Sequence, residues 1–250
     1  MRFQLEFSDL ALQISSLDGE KLIETTQHQL TSINDDLKVA EAKEFIKEFT
    51  KSSFLHSVDY TCFFRCSQFI LVPNSIYDEH LMVNYFELSF GPCANPASIH
   101  SHTNIPLGIT SIYQTASWVN TFCLSNFPDK TIHASQQSYL NLNQDSANHE
   151  LQGCICFDDA SFYLQLFQKG KLLYSQETAI MNSDDLIYFT SAALKKLPID
   201  IFRGKIILYP RQAKEIDTSI QENFTRISEF KDIQFILSNF EAYQNELLCE

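Results

Sequence analysis

Glycine is scarce in this sequence, and its scarcity excludes the common phosphate-binding loops. Six glycines occur in 250 residues, whereas ordinary usage is about 7%. Phosphate loops need several glycines close together, because the backbone itself must approach the ligand. Here the glycines are scattered, and neither GxGxxG nor GxxxxGKS/T is present. The sequence therefore predicts no nucleotide chemistry of either common type.

Basic residues and long apolar runs are also in short supply. Lys and Arg number 18 against 31 acidic residues, which gives a net charge of −13. A nucleic-acid backbone or an anionic membrane surface needs clustered positive charge, so we expect no nucleic-acid partner. The sequence has no run of about 18 apolar residues that could span a bilayer, and its N-terminus lacks the apolar core of a signal peptide. We predict a cytoplasmic protein with no membrane insertion.

Metal-ligand spacing is missing as well. The seven cysteines are odd in number and include no CxxC pair, so we expect buried thiols rather than a zinc site. His100 and His102 could chelate a metal from one side of an extended segment, but a solvated loop is the favoured interpretation. His133 lies near Ser135 and Ser138 without a GxSxG elbow. We predict no metal ligand and no catalytic residue.

The first half of the sequence contains strands of alternating hydrophobicity, followed by a segment with helical periodicity. Residues 10–15 alternate as a strand, Asp18-Gly19 marks a hairpin turn, and residues 21–26 form the return strand. Asn34-Asp35-Asp36 is typical of a helix start. Residues 89–106 hold three prolines and predict a loop. Further strands are predicted at 58–65, 69–72, 107–113 and 129–133, and further helices at 76–86, 114–126 and 134–143.

The second half repeats this order. Residues 153–177 give a hydrophobic strand, a turn at Lys169-Gly170 and a return strand. The run 182–185 (NSDD) then predicts a helix that ends before Pro198. Strands are predicted at 204–209 and 233–237. Strands interleaved with helices indicate an α/β fold with mixed sheets, and the polar residues 144–150 suggest a first lobe at 1–148 and a second at 149–250.

Hairpin, helix and strand in each half resemble the duplicated two-lobe actin-like ATPase (ribonuclease H-like) superfold, in which two lobes clasp a nucleotide. The sequence resembles a bacterial family of uncharacterised proteins of about 250 residues with this fold. More distantly it is similar to the pilus-assembly protein PilM, an actin-like docking platform. The motifs that carry the resemblance are LALQIS and SLDG near the start, LVP at 71–73, FPDKTIHASQQSYL at 127–140, KGKLLYSQE at 169–177 and SDDLIYF at 183–189.

The resemblance implies a particular phosphate chemistry in each lobe. Actin-like ATPases carry an Asp-x-Gly turn, whose aspartate organises metal and water and whose glycine lets backbone N–H groups meet the phosphates. On this pattern Gln13 and Ser15 stand at the aspartate and glycine of the first lobe. After the strand KIILY, the chain reads PRQAKE, without the glycine pair that receives the adenosine.

The second lobe departs from the pattern too. Cys156 stands at the aspartate and Asp158 at the glycine. A shift of one or two residues restores an acid, Asp158 or Asp159, but then Ala160 or Ser161 replaces the glycine. Two adjacent carboxylates would also repel a polyphosphate unless a metal intervened.

We therefore predict a non-catalytic scaffold or interaction module with an unknown protein partner, no cofactor and a degenerate nucleotide site. The alternative is a divergent ATP-binding protein or ATPase. In that case Ser15, Ser16 and Ser161 would donate to phosphates, and Asp158 or Asp159 would hold Mg²⁺. A third hypothesis is a metal-dependent enzyme at the His100 and His102 loop.

Aromatic residues are abundant, with 21 phenylalanines and 10 tyrosines. Most must fill the core, but some could form an exposed apolar patch that marks a protein partner. Residues 162–167 and Tyr188-Phe189 are the candidates, with core packing as the favoured interpretation.

Overall fold

The computed structural model describes residues 2–19, 21–51, 60–128, 132–141, 151–158, 161–197, 203–211, 222, 224–225 and 232–238. The chain divides into two compact units, Met1–Gln137 and Ser138–Glu250. The lobe boundary predicted at residue 148 falls within 142–150, outside the described residues, and stays a prediction.

The described residues contain both strands and helices in alternation. The strands are β1 (Arg2–Phe7), β2 (Ala11–Asp18), β3 (Lys21–Gln29), β4 (Tyr60–Phe64), β5 (Phe69–Pro73), β6 (Ile99–Asn104), β7 (Ile109–Gln114), β8 (Ile132–Ala134), β9 (Leu151–Phe157), β10 (Ser161–Gln168), β11 (Lys171–Ala179), β12 (Arg203–Pro210) and β13 (Asp232–Leu237). The helices are α1 (Asp35–Thr50), α2 (Met82–Phe90), α3 (Ser117–Asn126), α4 (Ser135–Asn141) and α5 (Ser183–Lys196).

A mixed five-stranded sheet forms the centre of the first unit, in the order β3-β2-β1-β4-β8. Strands β3, β2 and β1 are antiparallel neighbours, while β4 joins β1 and β8 joins β4 in parallel. A second, antiparallel sheet has the order β5-β7-β6. The main core packs one face of the larger sheet against α1 and α3, and includes Leu5, Phe7, Leu12, Ile14, Cys62, Ile46, Trp118 and Phe122.

The second unit repeats this sheet, with strand order β11-β10-β9-β12-β13 and the same pairing directions. Even the irregularities match, because the pairing register shifts between Ser16 and Leu17 in β2 and between Leu166 and Phe167 in β10. Its core lies between one sheet face and α5, and includes Ile155, Phe157, Leu164, Leu166, Leu186, Leu194, Ile206 and Leu208. The duplicated order predicted from the sequence is present in the sheets.

The N-terminal strand β1 was not predicted, because the sequence prediction placed the first strand at residue 10. Residues 2–7 alternate Phe3, Leu5 and Phe7 toward the core, and Gln4 and Glu6 on the other face are buried as well. Strand β1 therefore lies inside the sheet between β2 and β4. The predicted hairpin with its turn at Asp18-Gly19 is confirmed as β2–β3, and the hairpin β1–β2 precedes it. Likewise, the predicted turn at Lys169-Gly170 joins β10 to β11, but residues 153–168 form two antiparallel strands, β9 and β10, where one was predicted.

The predicted loop at 89–106 is also wrong in part, since β6 occupies Ile99–Asn104. This strand has few apolar residues because it lies at the edge of its sheet, pairing with β7 alone. Helix α2 begins at Met82 rather than at Ile76. Asp78 accepts a hydrogen bond from the His80 N–H at the start of the short 3-10 turn that precedes α2.

The two candidate apolar segments differ in exposure. Phe162 and Phe167 are buried in the second unit, so the favoured core packing is confirmed for these two. Tyr188 on α5 is 67% exposed. Among the described residues, no helix is long and apolar enough to cross a membrane.

Candidate functional site

The turn from β9 to β10 is where the resemblance to actin-like ATPases places a phosphate-binding element. The Asp158 N–H donates to the Ser161 carbonyl at 3.0 Å, which closes the turn. In return the Ser161 N–H donates to Asp158 Oδ1 at 2.9 Å. The Asp158 carboxylate thus accepts from its own turn. Asp159, the other predicted acid, lies outside the described residues.

Arg211 closes this turn from the neighbouring parallel strand. It directly follows β12, and its N–H donates to the Phe157 carbonyl at 2.8 Å. Its Nη1 lies 3.1 Å from Glu177 Oε1 and donates to Ser161 Oγ at 3.2 Å. The same Nη1 is 3.9 Å from Asp158 Oδ2. Three oxygen-bearing side chains from β10, β11 and the turn therefore surround one guanidinium.

The charged groups of Arg211, Asp158 and Glu177 are largely shielded from water. The Arg211 side chain is 0% exposed, Asp158 is 4% exposed and Glu177 is 17% exposed. Charges removed from water are stable only when they are paired and hydrogen-bonded. Here one guanidinium stands against two carboxylates, and the Ser161 hydroxyl also donates to Glu177 Oε1 at 3.2 Å. The guanidinium therefore offsets part of the carboxylate charge at this turn from within the protein.

A second polar group lies along the same sheet face. The Tyr163 hydroxyl shares a hydrogen bond of 2.6 Å with Ser175 Oγ and accepts one of 2.6 Å from Gln165 Nε2. Burial raises the pKa of Tyr163 well above its usual range, with hydrogen bonds from Ser175 and Gln165 acting in the opposite direction. Cys154 and Cys156 on β9 are buried too. Tyr163, behind the turn, is therefore an uncharged phenol at neutral pH that hydrogen bonds hold in place.

The first unit has a related corner. The Ser8 N–H donates to the Ala11 carbonyl at 2.9 Å, and the Ala11 N–H donates to Ser8 Oγ at 3.1 Å. Arg65 directly follows β4, and its N–H donates to the Phe7 carbonyl at 2.7 Å. Its Nε lies 3.5 Å from Glu6 Oε1. Both units therefore place an arginine beside a carboxylate at the equivalent corner of the sheet.

Ser15 and Ser16 lie away from that corner. They pair with Gln4 and Phe3 of β1, toward the end of the hairpin opposite the turn. The Ser15 hydroxyl shares a hydrogen bond of 3.0 Å with the hydroxyl of Thr25 on β3. Alignment of the phosphate pattern to β2, rather than to the β1–β2 turn, placed the candidates there. Any role toward phosphates stays a prediction.

The histidine pair lies on β6. His100 Nε2 is 3.0 Å from Thr115 Oγ1, and desolvation lowers its pKa despite an opposing hydrogen bond with Asn120. His100 lines a cleft of about 710 Å³ in the first unit. Within the part of the chain that the structure describes, no group of three or more His, Cys, Asp or Glu side chains could hold a metal ion.

Sequence reasoning missed Glu177, Arg211 and Arg65. A usable signal existed for the arginines, because each directly follows a strongly hydrophobic parallel strand, in FFR and in YPR. Parallel strands meet at the same sheet edge, so a charge after such a strand faces the turn of its neighbour. No comparable signal marks Glu177, which lies in a half-exposed edge strand.

The sequence pattern of DUF3822, a family described as proteins of unknown function, matches residues 2–227 of this chain. The chain belongs to the DUF3822 family. No curated protein matches the sequence.

Two solved structures show the fold of this DUF3822 chain. A Bacteroides thetaiotaomicron protein with an actin-like ATPase fold and unknown function superposes with a TM-score of 0.72 at 14% identity, over 100% of this chain and 96% of that one. The PilM–PilN type IV pilus biogenesis complex gives a TM-score of 0.61 at 10% identity, over 97% and 89%. The predicted actin-like α/β fold, the uncharacterised family and the likeness to PilM are confirmed.

Proposed function

We propose that this DUF3822 protein is a non-catalytic actin-like scaffold or protein-interaction module whose nucleotide site has degenerated. The observation that carries the proposal is the buried pairing of Arg211 with Glu177 and Asp158 at the turn from β9 to β10. Asp158, one of the two acids that could organise a metal, is already engaged within the protein. We place the protein in the cytoplasm, with lobes at 1–148 and 149–250.

The residues present do not fit Mg-ATP. The turn reads Asp158-Asp159-Ala160-Ser161, without the glycine that lets backbone N–H groups reach phosphates. Two of those N–H groups, at Asp158 and Ser161, bond within the turn. Phosphates approaching Asp158 would also face the charge of Glu177. If a nucleotide does bind, Asp158, Asp159 and Ser161 remain the candidate contacts, with Ser15 and Ser16 in the first unit.

A protein partner is the second part of the proposal. PilM, which shares the fold, was solved as a complex with PilN. We propose that the DUF3822 chain likewise acts by holding another protein. Tyr188 and Met181, which are 67% and 93% exposed, are candidate contacts.

Thermal unfolding in the presence of Mg-ATP and Mg-ADP tests the proposal. A ligand at 100 times its dissociation constant stabilises a protein by about 2.7 kcal/mol. We expect no rise in melting temperature at millimolar nucleotide. A rise that Asp158→Ala abolishes, while the exposed Asp184→Ala retains it, would establish the alternative of an ATP-binding protein. Phosphate release would then identify an ATPase.

A further inference from the structure

We propose that Arg211 is an internal cation that replaces the metal ion expected at the phosphate turn of an actin-like fold. The proposal rests on the proposed function, because it explains why the second unit would need no nucleotide. It assigns Arg211 as a positioning residue, which holds the turn from β9 to β10 closed.

The geometry around the guanidinium is that of a cation among oxygen ligands. A single nitrogen, Nη1, lies within 4 Å of Glu177 Oε1, Ser161 Oγ and Asp158 Oδ2, at 3.1, 3.2 and 3.9 Å. Carboxylate and hydroxyl oxygens are the ligand types that bind Mg²⁺ and Ca²⁺ in proteins. The guanidinium carries its charge at every physiological pH. It therefore supplies one permanent positive charge to the two acids.

The repeated corner in the first unit supports a built-in device rather than a chance contact. Arg65 and Arg211 each donate their backbone N–H to the last residue of the neighbouring strand, Phe7 or Phe157. Each guanidinium then lies beside a carboxylate, which comes from Glu6 on β1 in the first unit and from Glu177 on β11 in the second. The arginine positions correspond between the units, whereas the carboxylate positions do not. The sheet order places the residue after β4 or β12 beside the end of β1 or β9. The topology thus supplies the arginine at the same position twice.

Removal of Arg211 should turn this corner into a site for a divalent cation. Asp158 and Glu177 would lose the buried guanidinium that faces them, which is strongly unfavourable. An added cation would then relieve the repulsion, whereas in the wild type the guanidinium already occupies that position. Stabilisation by an added cation is therefore expected in the variant and not in the wild type.

The experiment measures the melting temperature of the full chain without nucleotide. Each protein is measured with and without MgCl₂ or CaCl₂ at about 5–10 mM. The variants are Arg211→Met and the double variant Arg211→Met with Glu177→Gln. Arg203→Met is the matched control, because Arg203 is on the same strand and pairs with Asp232 at 3.0 Å in an exposed position. Exposed pairs contribute little to stability.

We expect Arg211→Met to lower the melting temperature by about 5–15 °C and either cation to restore much of it. The wild type and Arg203→Met should not respond, and the double variant should melt higher than Arg211→Met and lose the cation response. If the wild type gains stability from the cations as the variant does, or if Arg211→Met gains none, the proposal fails. If Arg211→Met does not fold, a folded double variant supports the proposal, and an unfolded one overturns it.

This result is separable from the proposed function. A wild-type response to Mg-ATP would overturn the non-catalytic assignment, whereas the cation response of Arg211→Met concerns the empty corner alone. Magnesium chloride without nucleotide is the arm that distinguishes them.

Discussion

At the residue scale, Gly204 in the second unit is required by close packing between strands. A Cβ built on Gly204 would lie 2.4 Å from the Leu151 carbonyl oxygen and 2.6 Å from the Leu151 Cβ. These atoms belong to the adjacent parallel strand, so neither can move without separating β9 from β12. By contrast, Gly19 has open space around its Cβ position but a φ of +63°, which makes its requirement conformational.

Gly204→Ala should therefore lower the free energy of unfolding by about 2–3 kcal/mol, because overpacking in a close strand pair forces the backbone apart. Gly19→Ala should cost about 1–2 kcal/mol through its left-handed backbone alone. Urea unfolding measures both. A Gly204→Ala cost below about 1 kcal/mol would contradict the packing explanation.

A second residue-scale feature ties α1 to the hairpin before it. Glu41 on α1 accepts from His28 Nε2 at 2.8 Å, from the Thr31 N–H at 3.2 Å and from Ser32 Oγ at 3.2 Å. Desolvation alone would raise the pKa of Glu41, but these hydrogen bonds outweigh it and lower the pKa below its ordinary value. A carboxyl whose pKa is depressed by folding adds stability above its unfolded pKa, and this contribution is lost as the pH falls through the folded pKa.

Glu41→Gln should therefore be less stable than the wild type at pH 7, and the difference should shrink as the pH falls below about 4.5. Chemical denaturation at about pH 7, 5, 4 and 3 covers the pH range over which the Glu41 carboxylate becomes protonated. Glu44→Gln is the control, because the Glu44 side chain is 76% exposed and pairs only loosely with Lys47 at 3.3 Å. A Glu41 difference that is constant across the range would rule out the ionised carboxylate as its source.

At the element scale, the predictable parts are those whose signals are local. Asn34 caps α1 by accepting from the Asp36 N–H at 2.8 Å, and Asn182 caps α5 by accepting from the Asp185 N–H at 3.0 Å. Both helix starts were predicted, at Asn34-Asp35-Asp36 and at Ser183-Asp184-Asp185, because a side-chain acceptor followed by acidic residues satisfies the free N–H groups of a first turn. The cap of α5 lies one residue earlier than predicted, at Asn182. The edge strand β6 was missed, since its ladder bonds to β7 leave no mark on its own polar sequence.

Asn34→Ala and Asn182→Ala should each cost about 1 kcal/mol of stability, because each removes the acceptor for an N–H of the first turn. Asn34→Asp and Asn182→Asp retain the acceptor and should cost much less. Thermal or urea unfolding of the four variants gives the comparison. If the aspartate variants lose as much stability as the alanine variants, the caps are not the cause.

At the scale of the whole molecule, the two repeats keep separate cores. The first core includes Ile14 and the second includes Ile155, and the two sets share no residue. Mutations at sites with no shared partners are usually additive within about 0.3–0.5 kcal/mol. We therefore expect the stability contributions of the two cores to be additive.

Ile14→Val and Ile155→Val should each lower stability by about 0.5–1.5 kcal/mol, through a lost methylene in a filled core. The double variant should lose the sum of the two. Equilibrium denaturation of the four proteins completes the cycle. A coupling energy above about 1 kcal/mol would show that the cores are not independent.

The candidate site was predictable only in its local part. Asp158 and Ser161 were identified because they follow a recognisable strand and stand close together in sequence. Their partners Glu177 and Arg211 come from two other strands, and Arg211 bonds Ser161 across 50 positions of chain. Charge pairing over such a separation depends on sheet order, which periodicity alone does not determine. The resemblance to the actin-like fold identified the turn from β9 to β10, whereas Arg211 was identified only from the structure.

The position of Arg211 after β12 also bears on how the second unit folds. Strands β9 and β10 are adjacent in sequence and can pair early, whereas β12 reaches β9 only after the intervening β10, β11 and α5 have been spanned. Closing a longer loop costs more chain entropy, so we expect the parallel pairing to form later than the hairpin. On this expectation the guanidinium meets its carboxylates late in folding. Its loss should accelerate unfolding while leaving the folding rate nearly unchanged.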